Sequence, residues 1–103
     1  MHYCLVLSTC SEHEEADHLA SRLVENKLAS CVQINKIISY YTWKGESKKE
    51  PEYRLLIKTK KALYKKVEKY IKKMHSYEVP EIITIPIQDG SKEYLAWIDE
   101  VTE

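Results

Sequence analysis

The hydrophobic positions of the first quarter of the chain change from strand-like to helix-like spacing. Residues 3–9 (YCLVLST) have apolar side chains at both parities, which is typical of a strand covered on both faces. Ser11 and Glu14 then have the spacing of a capping box, so we predict that a helix begins with Ser11 as its N-cap. Its apolar stripe recurs at helical spacing as far as Asn26 and consists of Ala16, Leu19, Ala20, Leu23 and Val24.

The next apolar segment has the composition of a long strand. Residues 29–42 (ASCVQINKIISYYT) are rich in β-branched and aromatic residues. The parity of the apolar positions slips between Ile34 and Ile37, so we expect a bulge or bend near Asn35 and Lys36. Residues 43–46 (WKGE) turn the chain and residues 52–59 (EYRLLIKT) return, which predicts a hairpin with a long, charged tip.

The remaining pattern predicts helix, strand and helix. Thr59 is expected to cap a second helix, whose apolar stripe runs from Leu63 to Met74 and whose other face is rich in lysine. Residues 81–87 (EIITIPI) form a further strand pattern. Ser91 is expected to cap a short last helix with helically spaced apolar residues up to Val101.

This order of elements is a repeated split β-α-β unit. It predicts an α+β, ferredoxin-like β-α-β-β-α-β fold, in which an antiparallel sheet carries two helices on one face, followed here by an additional C-terminal helix. The length of 103 residues indicates a single domain, residues 1–103. The predicted strands are apolar on both faces, and the last helix is too short to cover all of the second face. We therefore expect the chain to form oligomers.

The composition excludes several classes of function. Lys+Arg and Asp+Glu are both 16, so no net field favours nucleic acid or an anionic membrane. No segment resembles a signal peptide or a membrane helix, so we expect a cytoplasmic protein. Three cysteines without a CxxC pair argue against a disulfide framework and a structural zinc site. The ten aromatic residues are eight Tyr and two Trp, all with a polar tip, which suits subunit contacts and pocket rims.

Several short segments together resemble the signature of the CutA family. They are, in order, LASCV (28–32), SYYTWKGE (39–46), LIKT (56–59), HSYEVPEI (75–82), PIQDG (86–90) and YLAW (94–97). The similarity extends over nearly the whole chain. It implies a homotrimer of ferredoxin-like subunits whose long hairpins pair across subunits, with Tyr40, Tyr41 and Trp43 at or near the contact. It also implies a role in tolerance of divalent cations and binding of copper or a small ligand in clefts between subunits.

The metal ligands implied by this resemblance are only partly present. Family sites use a cysteine near the end of the first strand and two histidines before a Pro-Tyr pair, and the corresponding positions here are Ser8, Met74 and His75. Only His75 is a strong nitrogen ligand, so we expect copper binding to be weak. Cys10 lies two residues beyond Ser8 on the predicted strand, and its thiolate would restore a softer site unless it points into the turn instead.

A second candidate site lies where the second helix leads into the last strand. Tyr77 and Glu81, with Lys58 at the end of a neighbouring strand, are candidates for a cleft that holds a small anion or a metal. The alternative is structural, with Tyr77 packing and His75 acting as a cation at the helix end. We expect no enzyme activity, because no nucleophile has an adjacent base, and no nucleic-acid binding. A structural or scaffold trimer without ligand or catalytic role is the competing hypothesis.

Overall fold

The computed structural model of the chain describes residues 2–103 and has the predicted order of elements. Four strands form one antiparallel sheet in the order β2-β3-β1-β4. The mixed α+β architecture with a four-stranded sheet and three helices is thereby confirmed. The elements are β1 (Tyr3–Cys10), α1 (His13–Glu25), β2 (Cys31–Trp43), β3 (Glu46–Lys60), α2 (Tyr64–Met74), β4 (Ile83–Ile87) and α3 (Lys92–Val101).

The core lies between one face of the sheet and helices α1 and α2. Side chains of alternate positions in β1 and β3 point to this helix-side face, because successive strand residues face opposite ways. They pack with the apolar stripes of α1 and α2, as the periodicity predicts, except that Val24 at the end of the α1 stripe is 43% exposed. The fully or almost fully buried members include Val6, Leu19, Leu23, Leu55, Ile57, Val67 and Ile71.

The second face of the sheet carries apolar side chains from three strands: Leu5, Leu7, Leu56, Ile83 and Ile85. Helix α3 reaches part of this face, where the Lys58 ammonium donates to the Tyr94 hydroxyl at 3.3 Å. Ile83 and Ile85 nevertheless remain 50% and 43% exposed. The prediction that the last helix leaves part of the second face uncovered is thus confirmed.

The hairpin of β2 and β3 is continuous, and the predicted bulge at Asn35 and Lys36 is wrong. The register runs without interruption from Cys31 opposite Lys58 to Trp43 opposite Glu46. The apolar positions change parity for another reason. Ile34 faces the helices, whereas Ile37 lies on the second face, because the helices cover only the first part of β2.

The hairpin ends in a two-residue turn formed by Lys44 and Gly45. Both residues have positive φ, 50° and 80°, which is the geometry of the tight turns that match the twist of antiparallel strands. The turn predicted from residues 43–46 is therefore confirmed. The strands extend as far as the turn, so the charged tip belongs to the sheet.

Two of the three predicted helix caps are wrong. Ser11 lies in a bend, α1 begins at His13, and its N-cap Glu12 makes no side-chain capping bond. Thr59 remains in β3, where its hydroxyl donates to the Leu28 carbonyl at 2.6 Å, and a short 3₁₀ turn precedes α2. Ser91 does cap α3, because its hydroxyl accepts from the Tyr94 amide at 3.1 Å.

Candidate ligand and metal site

His75 lies at the C-cap of α2, and its imidazole is fully engaged in hydrogen bonds. None of its side-chain surface is exposed. Nε2–H donates to the Thr9 carbonyl at 2.6 Å, and Nδ1 accepts from the Tyr77 amide at 3.0 Å. Since Nδ1 faces a backbone donor, the arrangement requires the neutral Nε2–H tautomer. The alternative in which His75 is a helix-end cation does not fit this hydrogen bonding.

Strand β1 explains the position of this ring. β4 pairs with β1 only from Tyr3 to Leu7, so Thr9 lies beyond the end of that pairing. The imidazole N–H supplies a donor for the Thr9 carbonyl in place of a strand amide. His75 therefore joins the end of α2 to the end of β1.

Cys10, Glu15 and His75 form a cluster whose ligand atoms all lie within 4.8 Å of one another. Within residues 2–103, no other set of three or more His, Cys, Asp or Glu side chains is this close. The Cys10 Sγ is 3.8 Å from His75 Nε2, and a Glu15 carboxylate oxygen is 3.9 Å from Nδ1. In a tetrahedral zinc site, the metal lies about 2.0 Å from a histidine nitrogen and about 2.3 Å from a thiolate sulfur. The separation of Cys10 Sγ and His75 Nε2 is compatible with two ligands of one such ion.

The three members of this cluster are nevertheless committed to the fold. Burial, followed by the charges of Glu15 and Glu52, raises the pKa of the Cys10 thiol from 9.0 to about 12. The Glu15 carboxylate accepts from both the amide and the hydroxyl of Ser76, at 2.7 and 3.0 Å. A metal ion would have to displace the thiol proton and the bonds of His75, so the donor set fits weak binding only.

The structure brings together two of the four predicted metal ligands, Cys10 and His75, and adds Glu15. Ser8 lies on the same helix-side face as Cys10 and is fully buried, and its hydroxyl has no hydrogen-bond partner among the described residues. Met74, the last residue of α2, is 40% exposed. Sequence reasoning missed Glu15 because its position in α1 resembles that of any acidic residue in a first helical turn.

A cleft of about 650 Å³ opens between the hairpin and the loop of residues 77–81. Tyr77, Glu78 and Glu81 line it from the loop, and Glu52 lines it from β3. The other lining residues are Thr9, Ser39, Tyr40, Tyr41, Trp43, Val79 and Pro80. Tyr77 and Glu81, two of the residues predicted for a cleft, therefore both line this one.

Two phenols in this region donate to carboxylates. The Tyr77 hydroxyl donates to Glu52 at 2.8 Å, and burial together with this bond raises the pKa of Tyr77. The Tyr41 hydroxyl donates to Glu50, and this bond raises the pKa of Tyr41. Both phenols therefore remain neutral donors at physiological pH.

Lys58 does not belong to the cleft. It is bonded to Tyr94 and lies in register with Leu5 and Cys31. At ~3.3 Å per residue, it is about 20 Å along β3 from Glu52. The sequence places Lys58 near the end of a strand, whereas Tyr77 bonds to Glu52 in the middle of β3.

Comparison with known proteins identifies the family. The profile of the CutA1 divalent ion tolerance protein family matches residues 4–101. The chain belongs to the CutA1 family. The divalent-cation tolerance protein CutA of Archaeoglobus fulgidus is 43% identical over 92% of this chain and 93% of its own length.

Solved CutA structures share the whole fold. The structure of the periplasmic divalent cation tolerance protein CutA from Archaeoglobus fulgidus superposes with a TM-score of 0.96, at 40% identity over 98% of this chain and 99% of that one. The divalent cation tolerance protein of Thermus thermophilus gives 0.94, also at 40% identity, with 98% and 99% coverage. In the present chain, no helix of residues 2–103 has the length and apolarity needed to cross a membrane.

The hairpin of this CutA protein exposes the aromatic residues predicted for subunit contacts. Tyr40, Tyr41 and Trp43 are 73%, 39% and 40% exposed. All three also line the cleft. The sequence predicted these aromatic residues at a subunit contact but did not place them in the cleft. It also did not single out Glu52, which is only the first polar residue of a predicted strand.

Proposed function

We propose that this CutA protein acts as a homotrimer that binds a small ligand in the cleft beside its hairpin. The proposal is supported by the position of the cleft next to the uncovered part of the second face of the sheet. The cleft lies between the hairpin, where Tyr41 and Trp43 are exposed, and residues 77–81, which lead into β4 with its exposed Ile83 and Ile85. A neighbouring subunit that covers the second face would therefore also close the cleft.

The assembly is tested by sedimentation equilibrium at micromolar concentration. We expect the mass of three 12.1 kDa chains. Native mass spectrometry of protein from its own cells reports subunit number and retained ligand together. A monomeric mass contradicts the proposal, whereas a trimer that retains no ligand favours the scaffold alternative.

Weak copper binding is a second candidate function, favoured by the proximity of Cys10 and His75. A thiol suits Cu(I), so affinity should be higher under reducing conditions if Cys10 takes part. Calorimetric titration of the wild type and His75→Ala under reducing and oxidising conditions tests this. Tight Cu(II) binding that survives His75→Ala would place the copper site elsewhere.

We propose no catalytic role for this protein. The Cys10 thiol lies 3.8 Å from His75 Nε2, and a thiol with a pKa of about 12 is a poor nucleophile at neutral pH. A cytoplasmic location likewise stays a prediction from the sequence. Fractionation of cells that express the tagged protein at its native level tests it.

A further inference from the structure

The cleft carries negative charge without a lining cation. Three of its residues, Glu52, Glu78 and Glu81, are carboxylates, and none of the described residues that line it is Lys, Arg or His. Tyr41 and Tyr77, which also line the cleft, donate to carboxylates and remain neutral. The chemistry of the cleft therefore favours a cation over the small anion that the sequence left open.

Glu52 is the buried member of this group. Only 7% of its surface is exposed, and its one hydrogen bond within residues 2–103 comes from Tyr77 to Oε2. No Lys, Arg or His of this part of the chain lies within 4 Å of its carboxylate. A carboxylate is rarely buried without a paired cation, because its desolvation is costly. The Oε1 atom has no hydrogen-bond partner within residues 2–103, and Glu52 lines the cleft.

The walls of the cleft suit an organic cation. Tyr40, Tyr41 and Trp43 present aromatic rings, whose faces attract ammonium and guanidinium groups. The Lys49 ammonium already lies 5.5 Å from the centre of the Tyr40 ring. Aromatic walls also give the methylene groups of such a ligand an apolar surface.

A bare metal ion fits the cleft less well. Within residues 2–103, the one group of three or more His, Cys, Asp or Glu side chains close enough to hold a metal ion is Cys10, Glu15 and His75, so Glu52, Glu78 and Glu81 do not form such a group. The volume of about 650 Å³ is that of a site for a small organic molecule. A cation with a carbon chain can reach separated carboxylates, whereas one metal ion cannot.

We propose that the cleft binds a small organic cation with primary ammonium or guanidinium groups, whose charge pairs with Glu52 and whose carbon chain packs on Tyr41 and Trp43. The inference rests on the proposed function, since it names the ligand class of that cleft. It makes Glu52 the residue that selects for positive charge. Glu81, which is exposed at the rim, contributes less.

The test is calorimetric titration of the intact protein with putrescine, a four-carbon diammonium, and with butane-1,4-diol, its neutral counterpart. We expect putrescine to bind and the diol not to bind. Glu52→Gln should weaken putrescine binding by about tenfold or more, because it removes the charge from a buried site. Glu25→Gln, an exposed change on α1, is the control and should leave binding unaltered.

Several outcomes would overturn the inference. They are equal binding of the diol, unchanged binding by Glu52→Gln, and an intact trimer that does not bind putrescine. If Glu52→Gln does not fold, Glu81→Gln replaces it, with an expected loss of about two- to fivefold that disappears at high salt.

The subunit mass of each sample separates this inference from the proposed function. A monomeric wild type contradicts the assembly itself, whereas a wild-type trimer without putrescine binding contradicts only the ligand class. If Glu52→Gln dissociates the trimer and the wild type does not bind putrescine, the cation that pairs with Glu52 belongs to a neighbouring subunit. This result also overturns the inference.

Discussion

Replacement of His75 by leucine tests the structural role of the buried imidazole. The change removes the donor to the Thr9 carbonyl and the acceptor of the Tyr77 amide. Each buried backbone group left without a partner costs ~1–3 kcal/mol. Leucine keeps most of the apolar volume, and water can reach part of the loop at Tyr77. We therefore expect the free energy of unfolding to fall by about 2–4 kcal/mol.

The assay is urea unfolding followed by tryptophan fluorescence. Wild type and variant are compared at one protein concentration, because association contributes to the stability of an oligomer. His18→Leu, at an exposed position of α1, is the matched control and should change stability by less than about 0.5 kcal/mol. His75→Gln keeps one donor and one acceptor, so it should recover part of the loss. A cost for His75→Leu no larger than that of the control would refute the reasoning.

Three further changes test the hairpin and the core. Trp43→Ala should lower the melting temperature and weaken the proposed trimer, and unchanged melting and subunit mass would contradict the placement of the hairpin at the contact. Gly45→Ala should lower the free energy of unfolding in urea by about 1–2 kcal/mol, because its φ of 80° is strained for alanine. No atom lies within 4 Å of the new methyl group, so a neutral result would exclude backbone strain. The protonated Cys10 thiol stabilises the fold fully below pH 9, and this contribution is lost as the pH rises towards about 12. The unfolding free energy of the wild type should therefore fall more steeply above pH 9 than that of Cys10→Ala, and parallel curves would contradict the raised pKa.

Local patterns were sufficient to predict the elements of this protein. The helical stripes of α1 and α2, the turn at Lys44 and Gly45 and the cap at Ser91 each depend on residues within a few positions of one another. The failed cap at Thr59 shows the limit of this reasoning. Its hydroxyl bonds to Leu28, 31 positions away in the chain, and a distant carbonyl can compete with a local cap without leaving any pattern in the sequence.

The arrangement of the candidate sites depended on strand register and on the end of α2. The sequence named Cys10, His75, Tyr77 and Glu81, but it did not show that the Cys10 thiol lies 3.8 Å from the imidazole or that Lys58 lies far from the cleft. These distances follow from the pairing of β1 with β3 and from the length of β4. Likewise, the sequence did not distinguish Glu52 from other acidic residues, because its burial without a paired cation is visible only in the structure. The reason is that burial and proximity arise from contacts between segments remote in the chain, whereas sequence periodicity reports only which face of its own element a residue occupies.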